Sequence, residues 1–158
     1  MRKDGALMGT MVVVGSAAVN AAHTVSHAGQ HIMSLPAWQL AYIVVVIYAA
    51  PVFAAVLLWT RYCLAGAWLL VASMAGSLVF GLLYHFLLPG SDNVFTQPPG
   101  AWRIAFGVSA VLVLPLQGMG CLAGQWAARV LSRPVSDGTA RPVGSPAGQR
   151  RTPGRSHR

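Results

Sequence analysis

Carboxylates are nearly missing from this chain: it has no glutamate, and only three of its 158 residues, Asp4, Asp92 and Asp137, are acidic. Charged residues make up 9% of it, against about a quarter in soluble domains. Without a carboxylate pair, a glycine-rich phosphate loop or a nucleophile elbow, hydrolase and kinase chemistry is excluded. The two cysteines, Cys63 and Cys121, are too few and too far apart for a disulfide framework or a thiolate metal site, and read as small buried hydrophobes. The six methionines are scattered. No methionine-rich copper path runs through the chain.

What the sequence has instead is apolar length. Hydrophobic residues make up 55% of it, and four runs, at about 6–33, 37–59, 64–88 and 103–129, each exceed the roughly 20 residues that carry a helix across a hydrocarbon layer about 30 Å thick. The Val and Ile run at 43–47 has strand composition, but an open sheet edge in lipid leaves backbone groups unpaired, so it too is expected to be helical. The expected fold class is all-α: an integral membrane four-helix bundle, residues 1–131, followed at 132–158 by a disordered basic cytoplasmic tail. Pro51 and Pro115 fall mid-span, where each can kink its helix.

The formal charge of +8 points away from nucleic acid once its location is read, because six of the eleven basic residues lie after residue 132. That segment is rich in Pro, Gly, Ser and Arg and has no interleaved aromatics to stack on bases. Its expected partner is anionic lipid, at about 1 kcal/mol per charge near the surface. No nucleic acid is expected.

Arg2 and Lys3 before the first run, Arg61 between the second and third, and Arg129 and Arg133 after the fourth put both termini on the cytoplasmic side of a multi-pass cell-membrane protein. Trp38, Tyr84, Phe95 and Trp102 then fall at the outer boundary, and Trp59, Tyr62, Trp68 and Trp126 at the inner one. A cleaved signal peptide ending near Ala22 is the competing reading of the N-terminus, disfavoured because the apolar run continues past that point.

Four of the five histidines then collect in the outer half. His23, His27 and His31 are spaced by four, and so project from one face of the first helix, drifting about 40° per step. With that helix ending near Ser34, the three lie about 16, 10 and 4 Å below its end, and His85 lies about 6 Å below the end of the third, level with the interval from His27 to His31. Ionisable side chains inside a span are costly and default to a functional reading. Ser73, Ser77, Gly81 and His85 form a row of small residues leading to a histidine, a face expected to meet another helix. On the first span the small-residue row Ala6, Thr10, Val14, Ala18, Ala22, Ser26, Gln30 lies beside the histidine stripe, with Ser16, Asn20 and Thr24 on the other flank, and the histidine face is expected to point inward. Gly120, Gly124 and Ala128 mark a helix contact within the bundle or between protomers.

Two ligand readings follow. In one, His23, His27, His31 and His85 supply an all-nitrogen site for a transition metal, copper or iron in preference. In the other, His27 and His85 hold a haem iron from both sides, with Arg103 meeting its propionates. Asp92 and Asn93, in the one connection long enough to act as a lid, read chiefly as turn residues. The rivals are an accessory or scaffold subunit without a cofactor, assembled as a homo-oligomer or in a larger membrane complex, and a small transporter acting as an oligomer. None of these makes the chain an enzyme by itself.

Overall fold

The computed structural model describes residues 2–31 and 35–132. The tail beyond Ser132, and the lipid contact expected of it, lie outside them. Among the described residues the chain is helical throughout, with four helices long and apolar enough to cross a membrane. These are α1 (Arg2–Gly29), α2 (Ala37–Leu58), α3 (Cys63–Leu87) and α4 (Ala101–Leu131). They run alternately up and down. α4 packs on both α1 and α3, and α2 lies against α3.

The helices exceed or fall short of the sequence expectation at their ends, for local reasons. α1 stops at Gly29, short of the expected 33, and the indole of Trp102 stands where a Cβ on Gly29 would go. The chain leaves through a tightened turn, His31 N–H donating to Ala28 O at 3.0 Å, with His31 itself in the left-handed region at φ 58°. Within α2, Ile43–Ala49 is a π-helical segment in which Ala50 N–H bonds to Val45 O, five residues back. Pro51 follows directly; it has no N–H for the carbonyl four residues earlier, and the wider turn accommodates its ring. α3 ends in a second π segment, Leu83–Leu87, closed by Leu88 N–H donating to Leu83 O at 2.7 Å. Pro115 sits inside α4 without interrupting its helical assignment.

The core is built of small residues, which lets backbones approach. Ala54, Leu58, Ala67, Leu70, Met74, Ala127 and Ala128 form its fully buried part, together with Ala6 and Val13 of α1. A Cβ on Gly124 would stand 2.7 Å from Val71 Cγ2 and 2.9 Å from Ala67 O, and one on Gly120 would strike Met74 at 2.6 Å. The Gly120, Gly124, Ala128 row is thus the α3–α4 contact inside the bundle. The Ser73, Ser77, Gly81, His85 row is buried as expected. On α1 the histidine face turns inward: Ser16, Asn20, His23 and Ser26 are buried, whereas Val14, Ala18 and Ala22 of the adjacent row are exposed. The outward-facing surface exposes large apolar side chains on every helix. Cys63 and Cys121 are both only partly buried.

Backbone atoms also crowd Gly66, where a Cβ would meet Leu58 N at 2.9 Å and Ala54 O at 3.0 Å. Gly66→Ala is expected to cost about 1–3 kcal/mol as an overpacking change, read as a lower melting temperature in detergent. Gly118→Ala, with nothing within 4 Å of the new carbon, should leave the melt unchanged or slightly raised.

Candidate metal centre

The buried face of α1 and the end of α3 bring three imidazoles into contact. His23 Nε2 is 3.1 Å from His85 Nε2 and 3.0 Å from His27 Nε2. One ring nitrogen from each of the three lies within 4.8 Å of the others. The rings meet edge to face, with centroids 4.6 Å apart for His23 with His27 and for His23 with His85. Phe106 of α4, fully buried, forms a common wall at 5.0, 4.8 and 5.7 Å from His23, His27 and His85.

The outer nitrogens decide what the inner ones can do. His85 Nδ1 is 3.0 Å from the backbone carbonyl of Asp92, which only accepts, so Nδ1 carries the proton and Nε2 keeps its lone pair. His23 Nδ1 is 2.9 Å from Ser109 Oγ. When that hydroxyl directs its hydrogen to Ala105 O at 2.7 Å or Phe106 O at 3.0 Å, Oγ accepts from His23 Nδ1 and His23 Nε2 is a lone pair as well; when it donates to His23 Nδ1, His23 Nε2–H donates to His85 Nε2. His27 Nδ1 faces Asp92 Oδ1 at 3.6 Å. In the first of these tautomers two lone pairs stand 3.1 Å apart and repel unless a cation lies between them. A metal ion suits the two short pairs: two nitrogens about 2.0 Å from one ion stand about 2.8 Å apart at a right angle and about 3.3 Å apart at the tetrahedral angle.

The loop after α3 holds the arrangement. Val94 N–H donates to His85 O at 3.0 Å, Asn93 Nδ2 donates to Leu88 O at 3.0 Å, and Asn93 Oδ1 accepts from Phe95 N–H at 2.9 Å. Asp92, Asn93 and Gln97 are all buried. Asn93 turns the chain as expected, but Asp92 does more than turn it, touching two of the three histidines. Beside the rings lies a cavity of about 130 Å³, reached by all three histidines, Asp92, and residues of α2.

His31 and Arg103 do not join the cluster. His31 is exposed, because the left-handed turn after Gly29 takes it off the helical stripe. Arg103 is exposed in the first turn of α4 and lines neither the cavity beside the histidines nor the one beside Pro36 and Tyr84. The depth expectation shifts with them: α1 ends five residues before Ser34, about 7.5 Å of helix, so His85 meets the His23–His27 interval instead of the His27–His31 interval. Sequence reasoning missed Phe106, Ser109 and Gln117. Their signal was available, since Phe106, Ser109, Val113 and Gln117 follow three- and four-residue steps along α4, and all four are buried.

Comparison of the chain with protein-family models, with curated proteins and with solved structures returns no match. At neutral pH without added metal, ¹⁵N NMR of the histidine side chains is expected to place the proton of His85 on Nδ1; an Nε2–H signal for His85 would contradict the arrangement.

Proposed function

We propose that this chain is a membrane protein that holds one transition-metal ion on the Nε2 atoms of His23, His27 and His85, and serves metal handling or one-electron redox chemistry there. The observation that carries the reading is the convergence of these nitrogens at 3.0 and 3.1 Å while each Nδ1 faces an acceptor. Outer partners of this kind set the tautomer and raise the basicity of metal-bound imidazoles, and an Asp–His–metal chain is one of their recurrent forms. Asp92 would also offset one positive charge where the described residues hold no other carboxylate but Asp4.

Three neutral nitrogens without a thiolate favour copper or iron, and copper(II) binds such donors tightest among the common divalent ions. Haem is less well supported, since His23 touches both of the other rings and the pairs leave no gap for a macrocycle. The cavity beside the rings leaves room for a fourth, exchangeable ligand, the feature that distinguishes working metal sites from purely structural ones. Apolar side chains exposed along all four helices support insertion in a bilayer, and the positions of Arg61 and Arg129 support cytoplasmic termini. The site would then lie toward the outer face, away from cytosolic thiols.

Detergent-purified full-length chain is expected to retain one equivalent of copper(II), with an electron paramagnetic resonance spectrum split by three nitrogens. His23→Ala and His85→Ala should each abolish retention, and His31→Ala should leave it intact. Stoichiometric copper in the His85→Ala variant, or none in the parent chain, would refute the assignment. Asp92→Asn keeps the backbone carbonyl to His85 but removes the charge opposite His27. It is expected to weaken copper binding about 10–100-fold, the usual cost of losing an outer partner, measured by competition with a chelator of known affinity.

A further inference from the structure

We propose that the cavity beside the histidines is a binding site for a monocyclic phenol, quinols included, whose ring sits among apolar side chains and whose hydroxyl donates to Gln117 Oε1. Gln117 is 1% exposed and its Oε1 has no hydrogen-bond partner. A buried acceptor left bare calls for a donor. The other polar groups in the cavity do not supply one: Ser77 Oγ donates to Ser73 O at 2.8 Å, and Asn20 Nδ2 donates to Ser16 O at 2.9 Å. Thr24 and Tyr48 are engaged with each other at 2.7 Å. The proton has to come from a ligand.

Size and lining choose the ligand's body. The volume of about 130 Å³ is close to that of an engineered apolar cavity of roughly 150 Å³ that admits benzene. Leu40, Ile43, Ile47, Phe80 and Val113 form most of the wall, and no Lys or Arg lines it to bind a carboxylate or phosphate. A single water would leave most of that volume empty, and the apolar wall around Gln117 Oε1 would give it fewer than the roughly 2–4 partners a buried water uses. A ring with a neutral hydroxyl fits both requirements.

The route in is through α2. Only 11% of its most apolar window is buried, against 33–39% in the other three helices, so the wall it contributes is the one a lipid-soluble molecule reaches first. Gly81 lies between the two ends of the site: a Cβ there would stand 3.8 Å from Gln117 Oε1 and 4.0 Å from His85 Cδ2. A ring bonded to Gln117 therefore lies next to His85, beside the exchangeable position of the proposed metal. Binding to Gln117 does not itself require the metal.

Equilibrium dialysis of radiolabelled phenol against the detergent-purified chain, with and without copper, tests this. The parent chain should bind one equivalent saturably in both states. Gln117→Leu should weaken binding at least tenfold while leaving the melting temperature unchanged or raised, because it deletes an unpaired acceptor. Gly81→Ala adds a methyl whose nearest neighbour, Leu114 Cδ2, is at an ordinary 3.4 Å, so it should fold normally and also bind at least tenfold more weakly. Non-saturable uptake by the parent chain, or equal saturable binding in both variants, would overturn the proposal. Saturable phenol binding without copper retention would count against the metal assignment alone, and copper retention without saturable phenol binding against the phenol site alone.

Discussion

Three imidazoles in edge contact, with their outer nitrogens held by a hydroxyl, a backbone carbonyl and a carboxylate, impose conditions on every helix around them. α1 must end early enough to bring His23 and His27 level with His85, and it does so at Gly29 under the Trp102 indole. α3 must turn His85 inward at its last turn, and there its backbone widens into a π segment. α4 must present a flat apolar wall and an acceptor side by side, which Phe106 and Ser109 provide. The loop must fold back over the rings, and Asp92 and Val94 tie it to His85. In surroundings of low dielectric constant, a polar group left out of such a network costs far more than in water, so partial versions of it are disfavoured.

The rest of the bundle makes that network possible by close packing at the opposite end. Small residues at Gly66, Ala67, Gly120 and Gly124 bring α2, α3 and α4 to backbone contact, and dispersion between closely apposed surfaces is the main attraction available to helices surrounded by lipid. α2 takes the least part in this packing. An apolar cavity lies between it and the histidines. The interfaces of α4 with α1 and α3, with a peripheral α2, thus place this cavity next to the cluster of ionisable groups.

Much of the site could be read from spacing alone, and the failures are instructive. The row from Ser73 to His85 pointed inward because small residues at four-residue steps mark a helix contact, and the same rule found Gly120 and Gly124. On α1 the histidine face is the buried one, with Ser16, Asn20 and Ser26 beside His23, while Ala18 and Ala22 of the small-residue row are exposed. His31 was drawn into the cluster by a straight-helix assumption that a left-handed turn defeats. Asp92 read as a turn residue because its two contacts are to side chains seven and sixty-five positions away, a relation no local pattern encodes.

Composition and periodicity were sufficient, without coordinates, for the helical class, the four long apolar helices and the presence of a histidine-bearing face on the first and third, because these follow from local propensity and the 3.6-residue repeat. Helix ends, the register between α1 and α3, and the partners of each Nδ1 depend on which side chains collide or bond across the bundle. Those are contacts between residues distant in sequence, so only the folded chain decided that His23, and not His31, stands at the centre.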